Sequence, residues 1–232
     1  MQKREAALVL FARHPAGGVK TRLVPPLTPE EARRFHLACL ESTIRLAAAL
    51  PGSIGRWLYL TPPPRGRRHR RLLLRLGRGV RVRHQRGRDL GARLQVALRE
   101  LRAQGCRRVV LIGSDSPTLP PAYLRRAFAA LHRVDAVLGP ARDGGCYLIG
   151  LQPHRVDASH VFSGIAWGTR RVFRQTRARL RKGGNSLLVL PPWDDVDVPA
   201  DLVRLRRELQ RSRRTQLEPL RAWASAVPTP EA

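Results

Sequence analysis

The stretch Val109-Val-Leu-Ile-Gly-Ser-Asp-Ser-Pro-Thr-Leu-Pro120 runs four aliphatic residues without a polar break and stops at Gly113. An unbroken apolar run of this length is the pattern of a strand buried on both faces, as at the centre of a parallel sheet. Pro117 and Pro120 end the strand, and Pro121-Ala-Tyr-Leu opens a helix with proline in its first turn. Open α/β sheets bind ligands in the crevice outside the carboxyl ends of their strands. Asp115 sits at that end between two small hydroxyl residues, where it can hold a divalent cation and, through it, a diphosphate. An acid in this place can equally cap a helix or close a turn, and the stretch alone leaves both readings open.

Working outward, Ala6–Phe11 is a second buried run and reads as the first strand. It feeds the loop Ala12-Arg-His-Pro-Ala-Gly-Gly-Val-Lys-Thr-Arg-Leu23. Gly17 and Gly18 allow close backbone approach, and Lys20 and Arg22 set two cations beside them, which suits a di- or triphosphate. Neither of the common glycine-rich phosphate motifs is spelled out here, and a plain Gly-Gly turn with solvated cations fits as well.

Thr28-Pro-Glu-Glu31 predicts a capping box with proline at the first helical position, opening a helix that runs to about Leu50. Strands are expected at Ile54–Leu60, around Val80 and Val82, at Arg108–Gly113, Asp135–Pro140, Cys146–Leu151 and Ser186–Leu190. A short helix is expected around Leu72-Leu-Leu74, and longer ones from Asp89 to about Gln104, over Pro121–His132, up to Arg181 and over Pro199–Leu209. Asp89 can cap its helix or face the crevice. Asp143-Gly144-Gly145 is a hairpin signal that also offers a carboxylate beside an open backbone. Trp167 can stack on a ring or anchor the core. Asp197 can make a second metal contact, or it can only start the following helix with Asp201.

The chain has 232 residues, enough for one α/β domain with a full core. Only 5% are aromatic, so that core must be built mostly of Leu, Val and Ala. The formal net charge of +27 comes almost wholly from arginine. A nucleic-acid partner would account for it. Against that, the arginines are spread over most helices instead of lying in one stripe, and the densest stretch, Arg65–Arg88, is interrupted by apolar residues. We therefore read a folded, solvated basic surface, with nucleic-acid binding as the minor alternative. Cys39, Cys106 and Cys146 are far apart and form no Cys-x-x-Cys pair, which fits reduced thiols in a cytoplasmic protein. No segment is apolar for long enough to span a membrane.

Taken together, the motifs resemble a bacterial family of small proteins assigned as glycosyltransferases of the GT-A fold, the DUF2064 type. The matching runs are Phe11–Leu23, Gln85-Arg-Gly-Arg-Asp-Leu-Gly-Ala-Arg93, Gly113-Ser-Asp-Ser-Pro117, Gly139–Gly150, Phe162-Ser-Gly-Ile-Ala-Trp-Gly-Thr169 and Asp195–Leu202. They fall in the family's order over nearly the whole chain. The resemblance implies a three-layer α/β/α, Rossmann-like GT-A fold with a mostly parallel central sheet. It implies one nucleotide-sugar- or nucleotide-binding domain over residues 1–212; the polar, proline-tipped composition of the end reads as a helix and tail over 213–232. The resemblance further implies Mg²⁺ or Mn²⁺ on Asp115 and Asp197, with Asp115, Asp143, Lys20 and Arg22 in the chemistry. Gly17, Gly18, Asp89, Ser114, Gly144, Gly145, Trp167 and Thr169 would then line the substrates, a nucleotide sugar and a small-molecule acceptor.

One departure matters. Familiar GT-A enzymes hold their metal with Asp-x-Asp, and here Asp115-Ser-Pro117 lacks the second acid. Asp-x-Pro at this point also looks like the nucleotidyltransferases that build molybdopterin and deazaflavin cofactors. The same residues could therefore serve transfer of a nucleotide from a nucleoside triphosphate to a phosphorylated small molecule.

Overall fold

The structure, a computed structural model, describes residues 4–61, 76–77 and 79–227. Seven strands form one sheet: β1 (Ala6–Ala12), β2 (Ile54–Leu60), β3 (Arg81–His84), β4 (Arg108–Gly113), β5 (Ala136–Pro140), β6 (Cys146–Leu151) and β7 (Leu187–Val189). Their spatial order is β3-β2-β1-β4-β6-β5-β7. Every neighbouring pair is parallel except those made by β6, which runs antiparallel to both β4 and β5. The antiparallel β5–β6 pair follows from its five-residue connection, which is too short for a parallel crossover. The remaining strands all end at the same edge of the sheet.

The sheet is central because alternate residues of its strands are apolar on both faces. On β1, Ala6, Leu8, Leu10 and Ala12 join one cluster, while Ala7 and Val9 join another. The first face is covered by α1 (Pro29–Ala48) through Leu40 and Leu46 and by α3 (Pro121–Ala130) through Leu124 and Phe128. The second is covered by α2 (Leu90–Ala103) through Leu94, Leu98 and Leu101, and by the five-residue α4 (Ala158–Phe162) and α5 (Val172–Lys182). The result is the expected three-layer α/β/α fold.

The expected elements are found within a few residues of their bounds. The capping box at Thr28 and Glu31 is formed in both directions, with Thr28 N–H donating to Glu31 Oε2 at 2.7 Å. The helix expected around Leu72-Leu-Leu74 lies outside the described residues, as does most of the densest basic stretch. The helix expected within residues 213–232 is present, but over its described part the segment buries one apolar face and is not polar throughout. α6 (Pro199–Arg211) and α7 (Glu218–Ala226) pack on the outer face of α1 in a third cluster. Phe35 and Trp223 meet there with ring centroids 4.7 Å apart. Leu217, Leu220 and Trp223 recur at helical spacing among polar residues, so the apolar stripe is one residue wide and easily passed over.

Candidate functional site

Lys20, Asp115 and Asp197 meet at the carboxyl edge of the sheet. Lys20 follows β1, Asp115 follows β4 and Asp197 follows β7. Lys20 Nζ lies 2.5 Å from Asp115 Oδ1 and 2.8 Å from Asp197 Oδ1, and it donates to the Val196 carbonyl at 2.7 Å. The loops are locked to one another, because Val196 N–H donates to the Asp115 carbonyl at 2.9 Å. Lys20 is the one non-glycine residue with positive φ among those described, at 52°. Such a conformation costs about 1–3 kcal/mol and persists where surrounding contacts over-determine it. The three partners of the ammonium supply those contacts.

The alternatives left open by the sequence separate here. α3 has Pro120, not Asp115, at its N-cap. Asp201 starts α6, its Oδ2 accepting from the N–H groups of Asp197 and Val198 at 2.9 and 3.0 Å, which leaves the Asp197 carboxylate free for Lys20. Asp197 thus stands beside Asp115, and both carboxylates are turned on the Lys20 ammonium.

Electrostatics bind the group together. Burial acts to push the Lys20 ammonium down, but Asp115 and Asp197 outweigh it and hold its pKa above the ordinary lysine value. Burial would raise the Asp115 carboxyl, yet Lys20 beside it leaves it below its usual range. Asp195 opens the Asp195-Val-Asp197 alternation, and the sequence pattern alone does not single it out as a site residue. Burial pushes its carboxyl up to about 7, against a hydrogen bond from the Ser116 hydroxyl and with the charges of Asp115, Asp143 and Asp197 adding to the rise. Three other acids at this edge therefore act on Asp195.

Asp143 lies exposed in the β5–β6 turn, its Oδ1 accepting from Gly145 N–H at 2.8 Å. Gly144 has φ 92°, and a Cβ built there would stand 2.3 Å from the Arg170 carbonyl oxygen. The close approach at Gly144 is thus that of the loop before α5, reinforced by Phe173 N–H donating to the Gly144 carbonyl at 3.0 Å. Thr169 belongs to that loop, its hydroxyl donating to the Ala166 carbonyl at 2.8 Å.

Asp89 caps α2, its Oδ1 accepting from Ala92 N–H at 2.8 Å. Trp167 is half-buried, packing on Phe162 with ring centroids 5.9 Å apart. A Cβ at Gly91 would fall 2.7 Å from the indole nitrogen, so the absence of a side chain at Gly91 lets the indole seat on the start of α2. Asp89 and Trp167 form a second group of residues around Gly91. Gly17, Gly18 and Arg22 are exposed on the loop that carries Lys20, while Ser114 is buried directly before Asp115. Gln85, which opens the Gln85–Arg93 run, is a structural staple: its amide donates to the Ala12 and Tyr59 carbonyls at 2.9 Å each, tying the ends of β1 and β2.

Two carboxylates turned on one cation suit a hard divalent ion, which commonly takes one or two protein acids and fills its shell with phosphate and water oxygens. Among the described residues no group of three or more His, Cys, Asp or Glu side chains gathers with metal-holding geometry. No helix of those described is long and apolar enough to cross a membrane.

The chain resembles several solved structures. A protein of Desulfovibrio desulfuricans G20, provisionally named a nucleotide-diphospho-sugar transferase, is 32% identical, with 94% of each chain covered and a TM-score of 0.85. A cytidylyltransferase from Leptospira borgpetersenii serovar Hardjo-bovis shares the fold at 11% identity, over 96% of this chain and 94% of that one, with a TM-score of 0.63. A nucleotidyl transferase from Methanothermobacter does so at 18% identity, over 89% and 98%, with a TM-score of 0.60. No functionally curated protein matches. The family model described as an uncharacterized protein conserved in bacteria, DUF2064, matches residues 44–169, more than half of the chain. With the motifs in order and the fold in common, the chain belongs to the DUF2064 family.

Proposed function

We propose that this chain is a metal-dependent glycosyltransferase that moves a sugar from a nucleotide-diphosphate sugar to a small-molecule acceptor. The convergence of Lys20, Asp115 and Asp197 at the carboxyl edge of the sheet carries this reading. It is where α/β folds take their ligands, and it combines an anion-pairing cation with a pair of metal-binding acids. The 32% identical relative, provisionally named for the same donor class, supports it.

Asp115 and Asp197 would hold Mg²⁺ or Mn²⁺, which when bound supplies positive charge against the donor diphosphate. Lys20, with exposed Arg22 on the same loop, offsets the charge that develops on the leaving nucleoside diphosphate, a role realised chiefly in the transition state. Gly17 and Gly18 let the loop backbone approach the phosphates, and Ser114 shapes the floor of the same crevice. Asp143 faces the sugar or takes the acceptor proton. The Asp89–Trp167 group, with Thr169, Gly144 and Gly145 on the neighbouring turns, lines the acceptor side.

A nucleotidyltransferase is the second reading, favoured by the Asp115-Ser-Pro117 sequence and by the shared fold with cytidylyltransferases and nucleotidyl transferases. The deciding experiment is a thermal-shift panel of nucleoside triphosphates and nucleotide-diphosphate sugars, each with and without Mn²⁺. A ligand that binds only the folded state raises the melting point. Stabilisation by one nucleotide sugar, dependent on metal, is expected. Stabilisation by one triphosphate, followed by pyrophosphate release with phosphorylated acceptors, would replace the first reading with the second. No shift from any of them would remove both.

A further inference from the structure

Lys20 is fully engaged in the free protein. An ammonium has three N–H donors and no acceptor. Asp115 Oδ1, Asp197 Oδ1 and the Val196 carbonyl take them at 2.5, 2.8 and 2.7 Å. The Lys20 side chain is 4% exposed, whereas those of Asp115 and Asp197 are 49% and 41% exposed. The cation therefore comes at the carboxylate pair from the protein side, and the pair meets the crevice with one of its two charges already cancelled.

We propose that Lys20 is the built-in counter-ion of the Asp115–Asp197 pair, and that it makes divalent-cation binding conditional on nucleotide phosphate. The proposal rests on the reading above that this crevice takes both. A divalent ion arriving at the free protein meets a half-neutralised acid pair with a fixed positive charge between the two oxygens, and like charges at such distances oppose binding. A diphosphate offers the ammonium other acceptors. As Lys20 turns to the phosphate oxygens, the two carboxylates lose their counter-ion, and their full negative charge would be available to hold a divalent ion beside the phosphate. Metal and nucleotide then favour each other, and the coupling is reciprocal. Free metal alone does not occupy the site at modest concentration, so the two ligands enter as a pair. The buried, strained position of Lys20 suits this use: its backbone is held at φ 52°, and only the end of the side chain need move.

The test is Mn²⁺ binding without nucleotide, followed by loss of the free-ion electron paramagnetic resonance signal. It uses the full chain as wild type, Lys20→Met and Lys20→Gln, with Arg22→Met as a charge-matched control on the same loop. Both Lys20 variants are expected to bind Mn²⁺ about tenfold or more tightly than wild type, within the usual span of coupling between sites. Arg22→Met is expected to change affinity by less than about threefold, since an exposed charge is screened by water and salt. The Lys20 variants are also expected to melt below wild type and to recover on adding Mn²⁺, the ion standing in for the lost ammonium.

Lys20 variants that fold yet bind Mn²⁺ no more tightly than wild type would overturn the proposal, as would an equal gain in Arg22→Met. If neither Lys20 variant folds, wild type alone decides: Mn²⁺ bound as tightly without as with a mixture of the four common nucleoside diphosphates overturns it. Unchanged Lys20 variants with nucleotide binding intact would remove the counter-ion and leave the proposed function standing. Absence of any nucleoside diphosphate binding with Mn²⁺ would remove that function together with the conditional half of this proposal.

Discussion

Asp197 accepts a hydrogen bond from Lys20 at 2.8 Å across 177 positions of chain. Neither residue has a local reason to be there. Lys20 sits in a backbone conformation that lysine seldom adopts, and Asp197 leaves the capping of its own helix to Asp201. Both are placed by the sheet, which brings the ends of β1, β4 and β7 to one edge.

Asp115→Asn should keep the fold and lose metal-dependent nucleotide binding. The side chain is half exposed, so the change leaves no cavity, and Lys20 retains Asp197 and the Val196 carbonyl. Loss of the nucleotide-induced thermal shift is expected, with an unliganded melting point within a few degrees of wild type, as for a partly exposed substitution. Unchanged binding would remove Asp115 from the site.

Asp195 gives a pH dependence with a definite sign. Its carboxyl is raised by burial to about 7 in the folded protein, above the value near 3.9 of an unfolded chain. The folded state therefore binds more protons between those two values, and stability falls as pH rises from about 4 to about 7. Asp195→Asn mimics the protonated form and should flatten that part of the curve. The expected gain at pH 7.5, measured by urea unfolding without metal, is about 1–3 kcal/mol, less than the full shift implies because solvent reaches the residue. A variant with the wild-type slope would place the titration elsewhere.

Asp135 ties two strand ends together. Its Oδ2 accepts from Ser186 N–H at 3.0 Å and from the Ser186 hydroxyl at 2.6 Å, and its Oδ1 faces Arg155 at 3.3 Å. The Ser186 hydroxyl hydrogen bond leads the effects that hold the Asp135 carboxyl below its ordinary value. Its stabilising effect is present above about pH 3.9 and is lost as pH falls through the lower folded value. Asp135→Ala should cost about 1–3 kcal/mol at pH 7, with the gap from wild type narrowing in acid. A gap constant across that range would mean that the charge is not what matters.

Gly144→Ala tests how the Asp143 turn is held. A Cβ there would stand 2.3 Å from the Arg170 carbonyl oxygen and 2.8 Å from two further backbone atoms of that residue, at a φ of 92°. Backbone strain of this kind costs about 1–3 kcal/mol before any clash is counted. Lower stability, together with weaker acceptor binding as the 163–171 loop is pushed away, is the expected result. An unchanged melting point would show that the turn has room to shift.

Trp223→Ala should destabilise the protein by about 3–5 kcal/mol, the usual cost of emptying a large aromatic site. Trp223 is 5% exposed and seated on Phe35 between α1 and α7. A loss below about 1 kcal/mol in chemical unfolding would make α7 an appendage instead of a part of the core.

Much of this was legible in the sequence because buried strands announce themselves. Val109–Ile112 and Ala6–Phe11 are apolar on both faces, and the observed strands fall within a residue of those bounds. The capping box at Thr28 was readable because capping is local chemistry. The five-residue α4 was not, since a single turn has no periodicity to read. The choice among Asp195, Asp197 and Asp201 was also hidden. Three acids in seven residues look alike on paper, and only the packing of the β7 loop against Asp115 gives one to Lys20, one to Ser116 and one to the helix start. Likewise Trp167 read as a platform or an anchor, and its seat on Gly91 depends on two segments that no local pattern connects.

The backbone bond from Val196 to Asp115 has a further consequence for how the protein comes into being. Chains emerge from the ribosome amino end first, at roughly 5–20 residues per second. A nascent chain that has emerged through β6 holds Lys20 and Asp115 but not Asp197, and the lysine then has a single carboxylate partner. The last strand to be made, β7, lies at the edge of the sheet and delivers the final acid. The group is thus completed by the longest-range contact it contains, Lys20 to Asp197 across 177 positions, whose formation requires closure of the intervening loop. Under the function proposed above, binding competence would be a checkpoint on completed synthesis, because a truncated chain can carry most of the sheet and still lack Asp197.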